Sequence, residues 1–380
     1  MRKKEYLSLQ RLTDCLKEVE DPRRNSGNFM HRLIDILVIA LLAMICGCET
    51  WDEIEDYGNT KLEWLKTYLP LKNAIPSADT FRRLFERIKP MQLEKAYREW
   101  VEPYVGSCLN KQISVDGKTM RGATGGCGEG FRLHMVSAWV REDGITLGQI
   151  KVDDKSNEIT AIPQLLESLD ISGGTVSIDA MGCQRAIAQV ITEREANYVL
   201  AVKMNQPTLY QEISEYFTWA VQDAIESKHL SRYEVREKDH GRISTWVVTA
   251  TQEVSWFESK QDWAFLRTMI MVQRKTMKGE NVSHETQYYI SSLAETATAF
   301  HRLIRGHWSV ENQLHWVMDV SFREDDSLIH KDHSPQNLSL IRKIALAILK
   351  KDTSRKASLR RKQNIAGWDD SFLASLFSSF

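Results

Sequence analysis

The order of apolar and polar residues divides the chain into stretches with different periods. Up to about residue 110 the apolar residues recur at helical spacing, without the alternation of a strand. In the segment IPSADTFRRLFERIKP an apolar stripe is formed by Phe81, Leu84, Phe85 and Ile88. Ser77 is placed to begin this helix and Pro90 to close it. We therefore predict a helical N-terminal domain over residues 1–110.

From residue 111 the period changes to the alternation that is typical of β-strands. Three successive strands are predicted, at 113–120, 132–142 and 145–153. They are followed by a helix at 156–170, a short strand that ends at Asp179, a helix at 184–195 and a strand at 196–203. Helices that alternate with strands in this way indicate parallel crossovers, so residues 111–204 predict the α/β class.

The rest of the chain predicts three further segments. Residues 205–290 contain mixed polar strands such as STWVVTATQEV and FLRTMIMVQRK. Residues 291–350 are mainly helical and include the segment HWSVENQLHW. Residues 351–380 begin with a basic run, KDTSRKASLRRK.

Composition narrows the class of protein. The chain has 380 residues, 42% of them hydrophobic, and a formal net charge of -1, so any binding of nucleic acid requires local basic patches. Its six cysteines form no C-x-x-C pair, which favours reduced thiols. The N-terminus lacks the apolar core of a signal peptide, and the apolar run 36–48 is too short to span a bilayer, so we predict a buried core helix there. We expect a cytoplasmic protein without a membrane partner.

Acidic residues stand at the ends of two predicted strands. A right-handed crossover would lay the strand of Asp179 parallel to the strand of Asp116, with the two carboxylates close together. Such carboxylates repel each other unless a cation lies between them, and a hard cation such as Mg²⁺ prefers oxygen ligands. Two such ions about 4 Å apart support in-line phosphoryl transfer, for which Glu311 is the best candidate for a third acid. Taken singly, each acid also suits a turn or a helix surface.

Histidines flank this glutamate. His307, Glu311 and His315 recur at i, i+4 and i+8 of a predicted helix. The spacing raises the possibility of zinc, but the segment is not H-E-x-x-H and no third protein ligand is evident. A histidine packed beside tryptophan is the plainer interpretation, and a contact from His307 to a nucleic-acid phosphate is the other.

Several basic residues are candidates for contacts with DNA phosphates. Those near the strand ends and in the polar segment are Lys118, Arg121, Lys203 and Arg242. Those on the basic side of the N-terminal helix are Arg82, Arg83 and Arg87. For each of them the alternative is a cation on a solvated surface.

Four longer segments follow one another along the chain: ISVDGKTMRG, DDKSNEITAIPQLLESLDISGGTVSIDAMGCQ, YVLAVKMNQ and HWSVENQLHWVMDVSFREDDS. In sequence and in order they closely resemble the ISAs1-type insertion-sequence transposases, a group that includes the bacterial H-repeat-associated proteins. The resemblance covers nearly the whole chain. It implies a DDE transposase with an RNase H-like mixed sheet flanked by helices, a helical N-terminal domain and a β-rich insertion before the last catalytic acid.

The same resemblance implies an activity. Such a transposase cleaves double-stranded DNA at the transposon ends with Mg²⁺, for which Mn²⁺ substitutes, and joins the freed 3′-OH to target DNA. Carried over by position, its catalytic and metal-binding acids are Asp116, Asp179 and Glu311. Because two ends must be brought together, a homo-oligomer, at least a dimer on DNA, is expected.

The chain departs from the wider family pattern around the glutamate. The positions of the expected tyrosine, arginine and lysine hold Ile304, His307 and Met318, and Met204 stands where a glycine is expected. Two alternatives therefore stay open: a decayed transposase that only binds DNA, and a nuclease of the same fold that cleaves without joining. A glycosidase is less favoured because no sugar-stacking pattern accompanies the acids.

Overall fold

The computed structural model of the chain describes residues 2–23, 29–122, 133–152, 157–222, 229–239 and 241–377. Its N-terminal part is helical, as the apolar spacing predicts. The helices are α1 (Arg2–Lys17), α2 (Leu33–Ile45), α3 (Trp51–Thr60), α4 (Leu62–Leu65), α5 (Ala78–Arg87) and α6 (Pro90–Val105). Every residue of α2 from Ile36 to Ile45 is buried, which confirms the prediction of a core helix. None of the helices in the described ranges combines the length and the apolar character that crossing a bilayer requires.

The predicted strands and crossovers follow in the predicted order. They are β1 (Gln112–Met120), β2 (Leu133–Val140), β3 (Ile145–Lys151), α7 (Glu158–Glu167), β4 (Thr175–Ile178), α8 (Arg185–Glu193) and β5 (Asn197–Val202). Three predicted element ends, at residues 132, 153 and 156, lie outside the described residues. β1 pairs with β2 antiparallel and with β4 parallel, and β4 pairs with β5 parallel. The order β3-β2-β1-β4-β5 is that of the RNase H-like fold, as predicted.

The segment after β5 extends this sheet. It contains α9 (Pro207–Gln222), β6 (Leu230–Asp239), β7 (Arg242–Thr251), β8 (Thr268–Lys278) and β9 (Asn281–Ser291). β9 pairs antiparallel with β5, and β8, β7 and β6 follow in that order. The pairing of β5 with β9 covers Val199–Val202 opposite Tyr288–Ser291. The first part of β9 therefore continues past the end of β5, as a largely exposed ribbon with β8.

The elements that follow β9 along the chain are helical. They are α10 (Ala297–His307), a π-helical turn (Glu311–His315), α11 (Trp316–Phe322), α12 (Ser334–Lys351), α13 (Leu359–Trp368) and α14 (Asp370–Leu376). α10 packs against β1, β4, β6 and β7. The buried helix α12 contacts both the N-terminal helices α2, α5 and α6 and the strand β3. One hydrophobic core therefore runs from the N-terminal helices to the sheet.

Candidate active site

Asp116 and Asp179 lie side by side where the pairing of β1 with β4 ends; Asp179 follows β4, whereas Asp116 lies within β1, which continues to Met120 beside β2. The last paired residues of β1 and β4 are Val115 and Ile178, so each aspartate is the next residue of its own strand path. Both side chains line one cleft of about 560 Å³. The right-handed crossover predicted from the sequence that the two aspartates are neighbours, and this is confirmed; the placement of Asp116 at the end of its strand is wrong, because β1 continues to Met120 through its pairing with β2.

Backbone N–H groups fix one oxygen of each aspartate. The N–H of Gly117 donates to Oδ1 of Asp116 at 3.0 Å. The N–H groups of Met181 and Gly182 donate to Oδ1 of Asp179 at 3.0 and 3.3 Å. These bonds orient both carboxylates before any ligand arrives, with the second oxygen of each left to face other groups.

Glu311 enters the cleft from a helix whose hydrogen-bond period is interrupted. It begins the π-helical turn that follows α10, and its exposed side chain lines the same cleft as the two aspartates. Turns of this kind occur frequently at functional sites. The sequence predicted that His307, Glu311 and His315 lie on one regular helix. That prediction is wrong, because α10 ends at His307 and a π-helical turn spans Glu311–His315.

The two histidines contact different strands. Nδ1 of His307 lies 3.1 Å from the hydroxyl of Ser177 on β4, and burial lowers the pKa of His307. Nδ1 of His315 lies 3.4 Å from Oδ2 of Asp116. Burial, with Lys343 and Lys118 nearby, lowers the pKa of His315 to about 3. Both rings are therefore neutral near pH 7, and neither presents a positive charge to a phosphate there.

Asp116 stands in a strongly negative environment. Its burial, followed by the charges of Asp179 and Glu311, raises its pKa to about 7. A carboxyl group that holds a proton this tightly beside two other acids is short of a compensating cation. The three side chains offer only carboxylate oxygens, which suits Mg²⁺ or Mn²⁺.

No group of three or more Asp, Glu, His or Cys side chains in the described ranges is arranged to hold one metal ion. The three acids therefore do not converge on a single point. Mg²⁺ is commonly held by one or two carboxylates, with water and substrate phosphate as its other ligands.

The wall of the cleft opposite the acids comes from the added strands, which the sequence did not place there. Besides Lys203 and Met204 after β5, the wall includes Glu285, Thr286, Gln287, Tyr288 and Tyr289 of β9. Trp308 closes the cleft beside Glu311. The sequence predicted strands within residues 205–290, but strand pattern alone does not reveal which neighbour a strand pairs with.

The structure gives Lys118 carboxylate partners instead of a place in the cleft. Its ammonium donates to Asp319, lies 3.1 Å from Glu324 and 3.8 Å from Asp325, and its side chain is only 12% exposed. Burial acts to lower its pKa, but Glu324 and Asp319 outweigh that effect and raise it. Arg121, in contrast, is 86% exposed and 3.7 Å from Asp325. A phosphate would have to compete with these acids for Lys118.

The other basic candidates lie apart from one another. Lys203 is exposed and lines the cleft. Arg242 is exposed at the first position of β7, next to the β6–β7 turn. On α5, Arg82 and Arg83 are hydrogen-bonded to Asp79, while Arg87 is exposed. The structure thus brings only Lys203 and His307 of these candidates to the acids.

Comparison with known proteins gives the family. Residues 109–348 match the family described as "Transposase DDE domain", and residues 13–101 match "DDE_Tnp_1-associated". Several relatives align over almost the full length. "Putative transposase YncI" of Escherichia coli O157:H7 is 37% identical, with 98% of this chain and 96% of the relative covered. "H repeat-associated putative transposase YhhI" of Escherichia coli K12 is 36% identical, with 98% and 99% covered.

Two other matches are shorter or more distant. "Inactive transposase YbfQ" of Escherichia coli K12 is 36% identical over 83 residues, which are 22% of this chain and 98% of the relative. A solved piggyBac transposase synaptic complex with hairpin DNA gives a TM-score of 0.44 at 12% identity, with 98% of this chain and 80% of that chain covered. That last likeness is too distant to support an argument. The family match and the full-length relatives confirm the predicted resemblance: the chain belongs to the family of transposases with a DDE domain.

Proposed function

We propose that this transposase cleaves the DNA at its transposon ends in a reaction that depends on Mg²⁺, and then joins the freed 3′-OH to target DNA. The observation that carries the proposal is the placement of Asp116, Asp179 and Glu311 around one cleft, with the pKa of Asp116 raised to about 7 by burial and by the other two acids. The ends and the target are double-stranded DNA, held by a homo-oligomer of at least two copies.

The proposed roles follow from the position of each acid. Asp116 and Asp179 would hold one divalent cation, and Asp116 with Glu311 a second; Mn²⁺ would substitute for Mg²⁺. The bound ions would supply Lewis acidity at the reacting phosphate and lower the pKa of the attacking group. Lys203, at the cleft wall, offers its charge to the DNA backbone. His307 is neutral and hydrogen-bonded to Ser177, so its proposed part is to hold the cleft wall in place.

The chemistry needs no covalent protein intermediate. In the first step a water oxygen forms a bond to phosphorus at the transposon end, and the bond from phosphorus to the 3′ oxygen breaks. The freed 3′-OH then attacks a phosphodiester of the target strand, whose own 3′ oxygen leaves. One phosphodiester is lost in the first step, and one replaces another in the second.

The test is cleavage of end-containing duplex DNA by the purified full chain with Mg²⁺. Asp116→Asn removes the carboxylate common to both ion sites, so the cleavage rate should fall at least ~100-fold. Asp52→Asn on α3 makes the same change at an exposed position and should cleave normally. Unimpaired cleavage by Asp116→Asn would contradict the assignment of the site.

The products separate the remaining alternatives. Joined strands identify a transposase, free ends without joining identify a nuclease, and DNA binding without Mg²⁺-dependent cleavage identifies a decayed copy. Two of the departures from the family pattern occupy different surroundings: Met204 is exposed in the cleft, whereas Met318 is buried in the core and does not line it. The position of the expected lysine is thus not among the residues that line the proposed site.

A further inference from the structure

A second group of polar side chains lies on the other face of β1, directly beneath the candidate site. Successive side chains of a strand point to opposite faces. Asp116 and Lys118 face the C-terminal helices, where they meet His315 and Asp319. Gly117 and Thr119 therefore belong to the opposite face, which α7 covers.

On that opposite face a histidine and a glutamate are joined. Nδ1 of His134 lies 2.8 Å from the hydroxyl of Thr119, its cross-strand neighbour. Nε2 of His134 lies 2.6 Å from Oε1 of Glu158, the first residue of α7. Because a carboxylate only accepts hydrogen bonds, the ring donates through Nε2 and receives the Thr119 hydroxyl at Nδ1 when it is neutral. Both nitrogens have partners, and the glutamate is held in one place.

Gly117 leaves the space that this pair fills. A Cβ atom at position 117 would lie 2.2 Å from Oε1 of Glu158 and 2.6 Å from Nε2 of His134, which is far inside van der Waals contact. The φ angle of Gly117 is not in the left-handed region, so the backbone does not require glycine there. The missing side chain instead lets a carboxylate lie against the residue that follows Asp116.

The charge of Glu158 reaches Asp116. Oε1 of Glu158 lies against Gly117, 2.2 Å from where a Cβ atom would be, and the N–H of Gly117 donates to Oδ1 of Asp116, so the glutamate is one residue away from the aspartate. Glu158 is only 14% exposed and lies at the amino end of α7, where the helix dipole favours a negative charge. Its carboxylate is already bonded to His134, so it acts on a cation through the local field and through Asp116, not as a direct ligand.

We infer that Glu158, held by His134 in the space left by Gly117, is a positioning residue that strengthens the binding of divalent cations at Asp116. The inference rests on the proposed function of the Asp116 site. Groups around metal ligands commonly change metal affinity by ~10–100-fold when they are replaced. The effect is therefore expected in cation affinity first, and in catalysis only when the cation is scarce.

The test compares Glu158→Gln with Glu167→Gln, which makes the same change at the exposed far end of the same helix. Isothermal titration of the metal-free full chain with Mn²⁺ gives the affinity without any reaction. Glu158→Gln should weaken binding ~10-fold and raise the Mg²⁺ concentration for half-maximal cleavage by a similar factor, with the rate at saturating Mg²⁺ retained. Glu167→Gln should match the wild type in both.

Gly117→Ala provides a second route to the same result without removing a charge. The new methyl group displaces Glu158, so Mn²⁺ binding should again weaken, and the double variant with Glu158→Gln should bind no more weakly than either single one. Unchanged Mn²⁺ affinity in a folded Glu158→Gln protein would overturn the inference, even if its unfolding temperature drops, because that pattern marks a purely structural role.

Asp116→Asn separates this inference from the proposed function. If the wild type binds no Mn²⁺, or if Asp116→Asn binds it equally well, the proposed function itself fails. If Asp116→Asn loses binding while Glu158→Gln keeps it, only the role of Glu158 fails.

Discussion

At the scale of single residues, the ammonium of Lys118 is shared among carboxylates of α11 and of the segment that follows it. Glu324 is almost fully buried, and burial acts to raise its pKa. Lys118, Arg342 and Lys343 outweigh that effect and lower it, so Glu324 stays ionised in the core. Lys118 thus ties β1 to the chain that carries Glu311, because an unpaired buried charge is costly.

The first prediction concerns this ion pair. Lys118→Met leaves Glu324 with Arg342 at 4.0 Å as its remaining partner in the ion-pair geometry, and should lower the free energy of unfolding by about 3 kcal/mol. Arg121→Met, at an 86% exposed side chain, should change it by less than about 0.5 kcal/mol. Urea unfolding of both variants measures the difference. Equal stability of the Lys118→Met and Arg121→Met variants would show that Lys118 does not stabilise the segment that contains Glu324.

The second prediction concerns Asp116 without metal. Its folded pKa of about 7 lies above the ordinary value of 3.8, so its neutral form is the one that the fold favours. The stability that this form contributes is complete below pH 3.8 and is lost as the pH rises through 7. With EDTA at pH 8, Asp116→Asn should therefore be more stable than the wild type by about 2 kcal/mol. Solvent that reaches the partly exposed carboxylate screens its charge and keeps the difference this small.

Thermal unfolding at pH 8 and pH 5 tests this sign. The difference between Asp116→Asn and the wild type should shrink as the pH falls, because the wild-type carboxyl then takes up its proton. Adding Mg²⁺ at pH 8 should stabilise the wild type alone. A variant that is less stable than the wild type in EDTA at pH 8 would contradict the raised pKa.

At the scale of elements, the helix that leads to Glu311 is set by a close approach of α10 to β1. A Cβ atom at Gly306 would lie 2.1 Å from Oε1 of Gln112 and 2.7 Å from the guanidinium of Arg141. Gln112 cannot move freely, because its Nε2 donates to the hydroxyl of Ser177 and to the carbonyl of Leu303. The position of Glu311 therefore depends on a glycine five residues before it.

The third prediction follows from that contact. Gly306→Ala should force α10 away from β1, lower the free energy of unfolding by about 2 kcal/mol and slow cleavage even at saturating Mg²⁺. Gln112→Ala removes the nearer of the two clashing groups and leaves that of Arg141, so the double variant should recover part of the lost rate. Failure of the second change to restore any activity would show that the helix position is set elsewhere. Unfolding curves and end-cleavage rates of the three variants give the answer.

At the scale of the whole molecule, α12 joins the N-terminal helices to the sheet. Its residues from Ser334 to Leu349 are almost all buried, between α2, α5 and α6 and the strand β3. Asn337 is bonded to the carbonyls of Phe85 and Ile88 across this contact. The region matched by the DDE domain therefore shares its core with the region before it.

The fourth prediction is that residues 109–380 do not fold alone. Without α2 and α5, the face of α12 that they cover becomes a large exposed apolar patch, which favours aggregation. Circular dichroism and gel filtration of the truncated chain, compared with the full chain, provide the measurement. A monomeric fragment with a cooperative unfolding transition would contradict the shared core.

The local pattern of apolar and polar residues was enough to predict many of the helices and strands of this protein. Alternation and helical spacing predicted the strand meander, the two crossovers and the buried helix α2, because these patterns record which side of an element meets the core. The right-handed crossover rule then placed Asp116 beside Asp179, and the structure has them there. Resemblance to known transposases supplied the β-rich insertion, and it picked the same third acid, Glu311, that the reasoning from the residues had already proposed. The cytoplasmic location and the oligomer on DNA stay predictions.

Only the tertiary structure showed which residues and strands contact each other. Lys118 pairs with Asp319, 201 positions later, and nothing in the spacing of charges near Lys118 indicates it. Glu158 reaches Gly117 because β1, β2 and α7 pack together, and β9 joins β5 across the whole insertion. The spacing of apolar residues along the chain indicates which residues are buried. It does not indicate which residues they contact, because those contacts depend on how distant elements pack. For that reason the sequence determined where the acids of this transposase stand, and the fold decided which charges surround them.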